Sequence, residues 1–341
     1  MKGEPYLISL LRQRASTEAD AHASNTASRF RLHPSSLRLG IGDDAAIIAR
    51  SSDAGETVLT ADLLVEDIDF RRKWMPPELL GHKALAVSLS DVAAMGAEPR
   101  YAMVSLGVPE EIWQSSFVEQ FYEGWFNLAR QHGVALIGGD LSRAPAHIVI
   151  DSIVIGETRP AQTAIRRAGA QPGDLIYVTG KLGGAAAGLR LLEAGAQFSD
   201  NNPNIRRQLA PEPRVQFGLW LNNSRQPAAG SGPKGGVTAM LDISDGLSTD
   251  LARLCAAGGV GAIVVEEQLP LDSTLADALN GGEDFELLFT APPASLPELP
   301  DDLAAVGISC IGHITADANR VLLKNNVKLT ELAPAGFDHF Q

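Results

Sequence analysis

The sequence predicts an α+β fold in two domains, and three observations carry that prediction. The 341 residues leave room for two ordinary domains. Short β-branched runs alternate with stretches of helical periodicity in both halves, and a Pro/Gly cluster over 159–173 (Pro160, Gly169, Pro172, Gly173) interrupts the periodicity between them. In order, Leu7–Arg14 reads as a short helix, followed by a polar, small-residue stretch, Ser16–Ser28, expected to be mobile or a helix-flanking loop. Strands follow at Ala45–Ala49, Thr57–Val65, Tyr101–Val108, Ala135–Ile137 and His147–Gly156. Helices are expected over Glu78–Met95, which Pro76-Pro77 introduce and Gly96 ends, and over Glu110–His132, where Trp113, Phe117, Phe121, Trp125 and Leu128 recur at helical spacing. After the break come a strand at Asp174–Thr179, helices at Gly184–Ala194, Arg214–Asn222, Ser248–Ala257 and Thr274–Leu279, and strands at Ala239–Asp242, Ala262–Glu266, Phe285–Thr290 and Ala304–Ile311. The segments Gln226–Gly236 and Pro292–Asp302 read as surface loops. The expected domains are residues 1–160 and 161–341, with no internal repeat.

A formal net charge of −13 argues against a nucleic-acid or anionic-membrane partner, both of which repel an acidic protein without a local basic patch. Two short basic runs, Arg71-Arg72-Lys73 and Arg166-Arg167, read either as solvated faces or as phosphate contacts. Cys255 and Cys310 are too few for a disulfide framework and lack CxxC spacing, which favours a reducing compartment and disfavours zinc. No apolar run reaches about 18 residues, so the expectation is a soluble, cytoplasmic protein.

The chemistry lies in six acidic clusters set beside glycines or strand ends: GIGDDAA (Gly40–Ala46), LTADLLVED (Leu59–Asp67), SLSDVAAMGA (Ser88–Ala97), IGGDLSR (Ile137–Arg143), LDISDGLSTDL (Leu241–Leu251) and GGEDFEL (Gly281–Leu287). Carboxylates without a His/Cys set, at turns where backbone groups are also free, suit a hard cation such as Mg²⁺ and hence phosphate chemistry. Taken singly, most of these clusters read as ordinary turns or turn caps. Asp91 differs, because Ala84, Leu85, Val87, Leu89, Val92 and Ala93 surround it; a carboxylate there must be paired, hydrogen-bonded or metal-bound. Gly138-Gly139-Asp140 follows an apolar strand, so its backbone can approach a phosphate while Asp140 holds a cation. Asp242-Ile243-Ser244-Asp245 places two carboxylates and a hydroxyl before a helix start. Val178–Gly184 lacks P-loop spacing, the seven histidines show neither HExxH nor triad spacing and default to surface or satisfied polar roles, and no GxSxG elbow exists.

Taken in order with KALAVSLSDVAAMGA and the terminal GFDHF, these clusters closely resemble the thiamine-monophosphate kinase family, whose superfamily includes aminoimidazole-ribonucleotide synthetase and selenophosphate synthetase. The resemblance spans nearly the whole chain. It implies a homodimer whose N-terminal mixed sheets pair across the interface, and a C-terminal α/β sandwich covering the nucleotide. It also implies that Asp44, Asp62, Asp91, Asp140, Asp242 and Asp245 hold several Mg²⁺ ions around the phosphates of ATP, with Thr60 and the Ala61 carbonyl beside them. Gly139, Asp140, Arg167 and Ser244 are then expected to contact ATP, and Asp69, Glu283 and Phe337 the thiamine monophosphate. The chain departs from the family pattern twice: Ala61 stands where TTD or STD is usual, and Asp69 replaces a histidine in Glu66-Asp67-Ile68-Asp69-Phe70.

The implied reaction needs no general base, because a phosphate monoester with a second pKa of about 6 is already an anionic nucleophile at neutral pH. The alternatives are a related ATP-dependent synthetase and a degenerate nucleotide- or metal-binding paralogue. Selenophosphate synthesis is disfavoured because no cysteine precedes Cys255.

Overall fold

The computed structural model describes residues 37–50, 54–198, 202–225 and 236–339. The expected helix Leu7–Arg14, the stretch Ser16–Ser28 and all but the last residue of Gln226–Gly236 lie outside them.

Two mixed sheets organise the described residues. The first joins β1 (Leu37–Leu39), β2 (Ala46–Ala49), β3 (Glu56–Val65), β4 (Glu98–Val108), β5 (Ala135–Arg143) and β6 (Val149–Glu157) in the order β1-β2-β3-β6-β4-β5, antiparallel except for the parallel pair β4–β5. Burial alternates along β4 from Tyr101 onward and along β6, as one covered face requires: Ala102, Val104, Leu106, Ile150, Ser152 and Val154 point inward, and Tyr101, Met103, Asp151 and Ile153 outward.

Two helices cover the inner face, α1 (Pro77–Ala94) and α3 (Phe117–His132). Pro77 opens α1 at a position that needs no N–H. Thirteen of its 18 residues are buried, which suits a helix that is apolar nearly all round. Gly81 and Gly124 bring the backbones of α1 and α3 together; a Cβ at Gly81 would strike the Phe121 carbonyl, and one at Gly124 the Glu78 carbonyl. The helix expected over Glu110–His132 is in fact two, α2 (Glu110–Trp113) and α3. Ser115 parts them by donating to the Ile112 carbonyl while accepting from the Phe117 N–H.

The second sheet contains β7 (Leu175–Thr179), β8 (Ala239–Asp242), β9 (Gly261–Val265), β10 (Leu287–Ala291), β11 (Ile308–Thr315), β12 (Val321–Lys324) and β13 (Leu329–Glu331), ordered β13-β12-β9-β11-β7-β10-β8 with one parallel pair, β12–β9. Its helices are α4 (Gly184–Glu193), α5 (Pro203–Leu209), α6 (Val215–Ser224), α7 (Leu247–Gly258) and α8 (Leu275–Asn280). The sequence reading missed α5, β1, β12 and β13, all seven residues or shorter. It also placed β11 too early: residues 301–306 form a turn, and the strand starts at Ile308. Ile205 and Leu209 of α5 and Phe217 and Leu221 of α6 join the core built on the first sheet, and α1 touches α6 and β8 as well as α3 and its own sheet. The helix α1 therefore lies between the two halves.

Candidate active site

The inner end of α1 gathers the carboxylates. Asp44, Asp91 and Asp242 arrive from the loop before β2, from α1 and from the end of β8, and each offers an oxygen within 4.8 Å of the others. Burial raises all three carboxyls, those of Asp91 and Asp242 far above the usual range, where repulsion from neighbouring carboxylates adds to the effect, while Arg167 and Arg253 oppose it at Asp44. Hydroxyls support them: Thr60 donates to Asp91, and Ser90 to Asp242. Asp62, on the inner face of β3, accepts from the Ser88 hydroxyl at 2.6 Å and is pushed up to about 6, by burial first and then by Asp151.

Two arginines offset part of this charge. Arg167 pairs through its guanidinium with Asp44 and donates its backbone N–H to Asp43, while Arg253 bridges Asp245 and Asp250. Asp44 Oδ2 nonetheless remains buried with no hydrogen-bond partner among the described residues. A buried, unpartnered carboxylate oxygen within a group of hard oxygen donors is what a divalent cation of the Mg²⁺ class would satisfy.

A cleft of about 660 Å³ lies beside this group, lined by Asp62, Ser244 and Asp245 and also by Asp69, Glu283 and Phe337. The three residues expected at the substrate thus share one wall system. Asp69 Oδ2 accepts from the Val65 N–H at 2.7 Å, and its other oxygen lies 3.8 Å from His339 Nδ1. Burial raises the Asp69 carboxyl. Phe337 packs edge-on against His339, ring centroids 4.7 Å apart, and the Phe337 N–H donates to the Asp245 carbonyl. The chain's last described segment is therefore fastened to the loop that carries Asp245.

Other expected residues stand apart. Asp140 is exposed on β5, where Oδ1 accepts from the Leu141 N–H, and it does not join the three-carboxylate group. Gly139 takes φ 146° against the Val104 carbonyl, a position no side chain could share. Ala61 turns its side chain to the outer face of β3, so only its backbone could serve the site. The run Arg71-Arg72-Lys73 is a packed surface: Arg72 pairs with the buried Glu66, while Arg71 and Lys73 lie over the Trp74 ring at 4.8 and 4.7 Å.

The sequence reading did not single out two residues that line the cleft, His339 and Gln208, nor Lys83 behind them. His339, expected in a surface or satisfied polar role, is exposed at the cleft and faces Asp69. Gln208 lies on the overlooked α5. Lys83 carried the signal that exposed Asp91, a charge inside the apolar run Leu80–Ala86, and is fully buried.

Residues 42–158 match the AIR synthase related protein, N-terminal domain, and residues 171–324 the C-terminal domain of the same family. The chain is 36% identical over 325 residues to a thiamine-monophosphate kinase of Bacillus subtilis (strain 168), covering 91% of this chain and 96% of the relative. It is 34% identical over 337 residues to that of Escherichia coli (strain K12), covering 92% and 95%. Among solved structures, it is similar to AaThiL complexed with AMPPCP and TMP, with a TM-score of 0.79 and 29% identity over 99% of this chain and 97% of that one.

Proposed function

The chain belongs to the AIR synthase related family and, within it, to the thiamine-monophosphate kinases, and we propose that it transfers the terminal phosphoryl group of ATP directly to thiamine monophosphate in a Mg²⁺-dependent, in-line reaction. One bond forms between an acceptor phosphate oxygen and the γ-phosphorus, and the bond to the ADP oxygen breaks. The products are thiamine diphosphate and ADP. The observation that carries this reading is the meeting of Asp44, Asp91 and Asp242, one oxygen unpartnered, next to a cleft lined by Asp62, Ser244, Asp69, Glu283 and Phe337.

In this reading Asp44, Asp62, Asp91, Asp140, Asp242 and Asp245 hold Mg²⁺ with Thr60 and the Ala61 carbonyl, and the family resemblance is the support for Asp140. Bound Mg²⁺ screens the repulsion between the acceptor phosphate and the γ-phosphate and stabilises a loose transition state. Gly139, Asp140, Arg167 and Ser244 contact ATP; the Arg167 guanidinium already neutralises part of Asp44. Asp69 and Glu283 give the cleft an anionic wall that attracts the permanently cationic thiazolium ring, with Phe337 as an apolar partner. No side chain needs to remove a proton, because the acceptor arrives deprotonated. Residues 1–160 and 161–341 form the two working halves, the first contributing most of the carboxylates together with Asp69, and the second Glu283 and Phe337.

We also assign a homodimer joined through the outer face of the first sheet. Leu63, Tyr101 and Ile137 stand 59%, 44% and 55% exposed there, and β5 is an unpaired edge. A second copy would cover both. Among the described residues no helix is long and apolar enough to cross a membrane, and a cytoplasmic setting follows from the substrates.

The decisive experiment follows ADP and thiamine diphosphate with purified protein, with and without thiamine monophosphate and Mg²⁺. Both products appearing only when both are present supports the assignment. A folded protein that binds Mg·ATP yet forms no thiamine diphosphate would sink it. Sedimentation at micromolar concentration should give twice the 36.1 kDa chain mass; a lone monomer would remove the dimer.

A further inference from the structure

We infer that Lys83 is a positioning residue for the substrate, holding the Glu283 carboxylate at its place in the cleft; the inference rests on the kinase reading above. Lys83 comes from α1, is 0% exposed, and puts Nζ 2.6 Å from Glu283 Oε1 and 3.3 Å from the Gln208 carbonyl. The Gln208 side-chain amide donates to the other oxygen, Oε2. Each Glu283 oxygen therefore has its own donor, which fixes the plane of the carboxylate as well as its place.

The backbone of the loop points the same way. Glu283 and Phe285 take φ 65° and 49°, costly for residues with side chains, and the loop is fastened to the carboxylate-bearing segment by Glu283 N–H to the Ser244 carbonyl and Phe285 N–H to the Ile243 carbonyl. Glu283 is still open to the cleft, its side chain 29% exposed. Stability alone gives no reason for a lysine here, since a buried ion pair is often no better than a packed apolar pair. What an apolar residue could not do is aim Glu283. Lys83, Val87 and Asp91 also lie at i, i+4 and i+8 on α1, so one helix stripe carries the residue that holds Glu283, a residue of the cleft wall and a residue of the carboxylate group.

The test is a double-mutant cycle over wild type, Lys83→Met, Glu283→Gln and the double variant, read by steady-state kinetics and by chemical unfolding. The expected result is a KM for thiamine monophosphate raised about tenfold in Lys83→Met, with the KM for ATP and kcat nearly unchanged, and no further rise when Lys83→Met is added to Glu283→Gln. An equal rise in the Glu283→Gln background, or equal changes in both KM values, would overturn the inference. Should Lys83→Met fail to fold, a folded double variant supports the pair, because removing both charges leaves none stranded; a double variant that also fails shows a structural lysine and overturns it. If wild type makes no thiamine diphosphate, the kinase reading falls, while the unfolding cycle still decides whether Lys83 and Glu283 are coupled.

Discussion

Two groups of buried carboxylates in this chain are treated in opposite ways. Glu286, on the segment leading into β10, is fully buried yet matched: Arg214 binds both of its oxygens at 2.6 and 2.7 Å, the Thr179 hydroxyl donates at 2.6 Å, and Arg207 stands at 3.3 Å. Asp91 and Asp242 lie against each other and Asp44 with two hydroxyls and one arginine, which pairs with Asp44 alone, their carboxyls raised far above the usual range by burial and repulsion. A matched buried charge belongs to the architecture. An unmatched one is a binding site for something else, because the protein bears a folding cost for it that only a ligand recovers.

Four experiments sharpen or break this contrast. The largest effect expected is on stability at the matched group: Glu286→Gln should cost ~3–5 kcal/mol by leaving the buried Arg214 without its counter-ion. Urea unfolding reads this directly, and a loss under 1 kcal/mol would show that the network is not structural. Next, Asp91→Asn should lower kcat by roughly 10²–10³-fold while leaving the midpoint of metal-free unfolding unchanged or higher, since it relieves repulsion. Near wild-type turnover would end the claim that the unmatched group is functional.

The third effect is linkage. Mg²⁺ at about 100 times its dissociation constant should stabilise wild type by ~2.7 kcal/mol and Asp91→Asn by far less; equal gains in calorimetry would place the cation elsewhere. The smallest effect is on pH. Burial leads the shifts that raise Asp62 to about 6 and Asp250 to about 7, so each contributes stability that is full below about pH 4 and lost as pH rises through those values. Asp277 contributes no slope there: burial raises its carboxyl, but bonds from Arg190, Ser273 and Thr274 outweigh it and bring it to about 2. In chelator, the thermal midpoint should therefore fall between about pH 4 and 7, and saturating Mg²⁺ should flatten the fall. A midpoint that rises with pH in chelator would contradict the unmatched state.

The same contrast explains what could be read from the chain. Asp91 was legible because its own helix is apolar and local sequence declares the anomaly. The strand-end clusters were legible through the change from alternating apolar residues to Gly and Asp, and the long strands β3, β4 and β6 through their period of two. Lys83 carried the same kind of signal, but its partner lies 200 residues away on a loop whose φ values no local pattern announces. Asn202 caps α5 and Pro203 starts it, both recognisable, yet seven residues show too little periodicity to stand out. Asp69 and His339 meet only because the end of the chain folds back over the cleft, a contact that spacing alone does not contain.

The burial of α1 has a consequence for motion. Because the helix packs on its own sheet, on α3, on α6 and on β8 at once, a swing of one half against the other would have to shear a close-packed contact along much of its length. Opening therefore falls to the thinner parts of the cleft wall, the turn 67–74 and the segment 335–339, the second fastened by a few bonds to Ser248, Thr249 and Asp245. Amide exchange should be fast in these two stretches and slow along α1, so that thiamine monophosphate enters and its product leaves past a loose rim around a rigid floor.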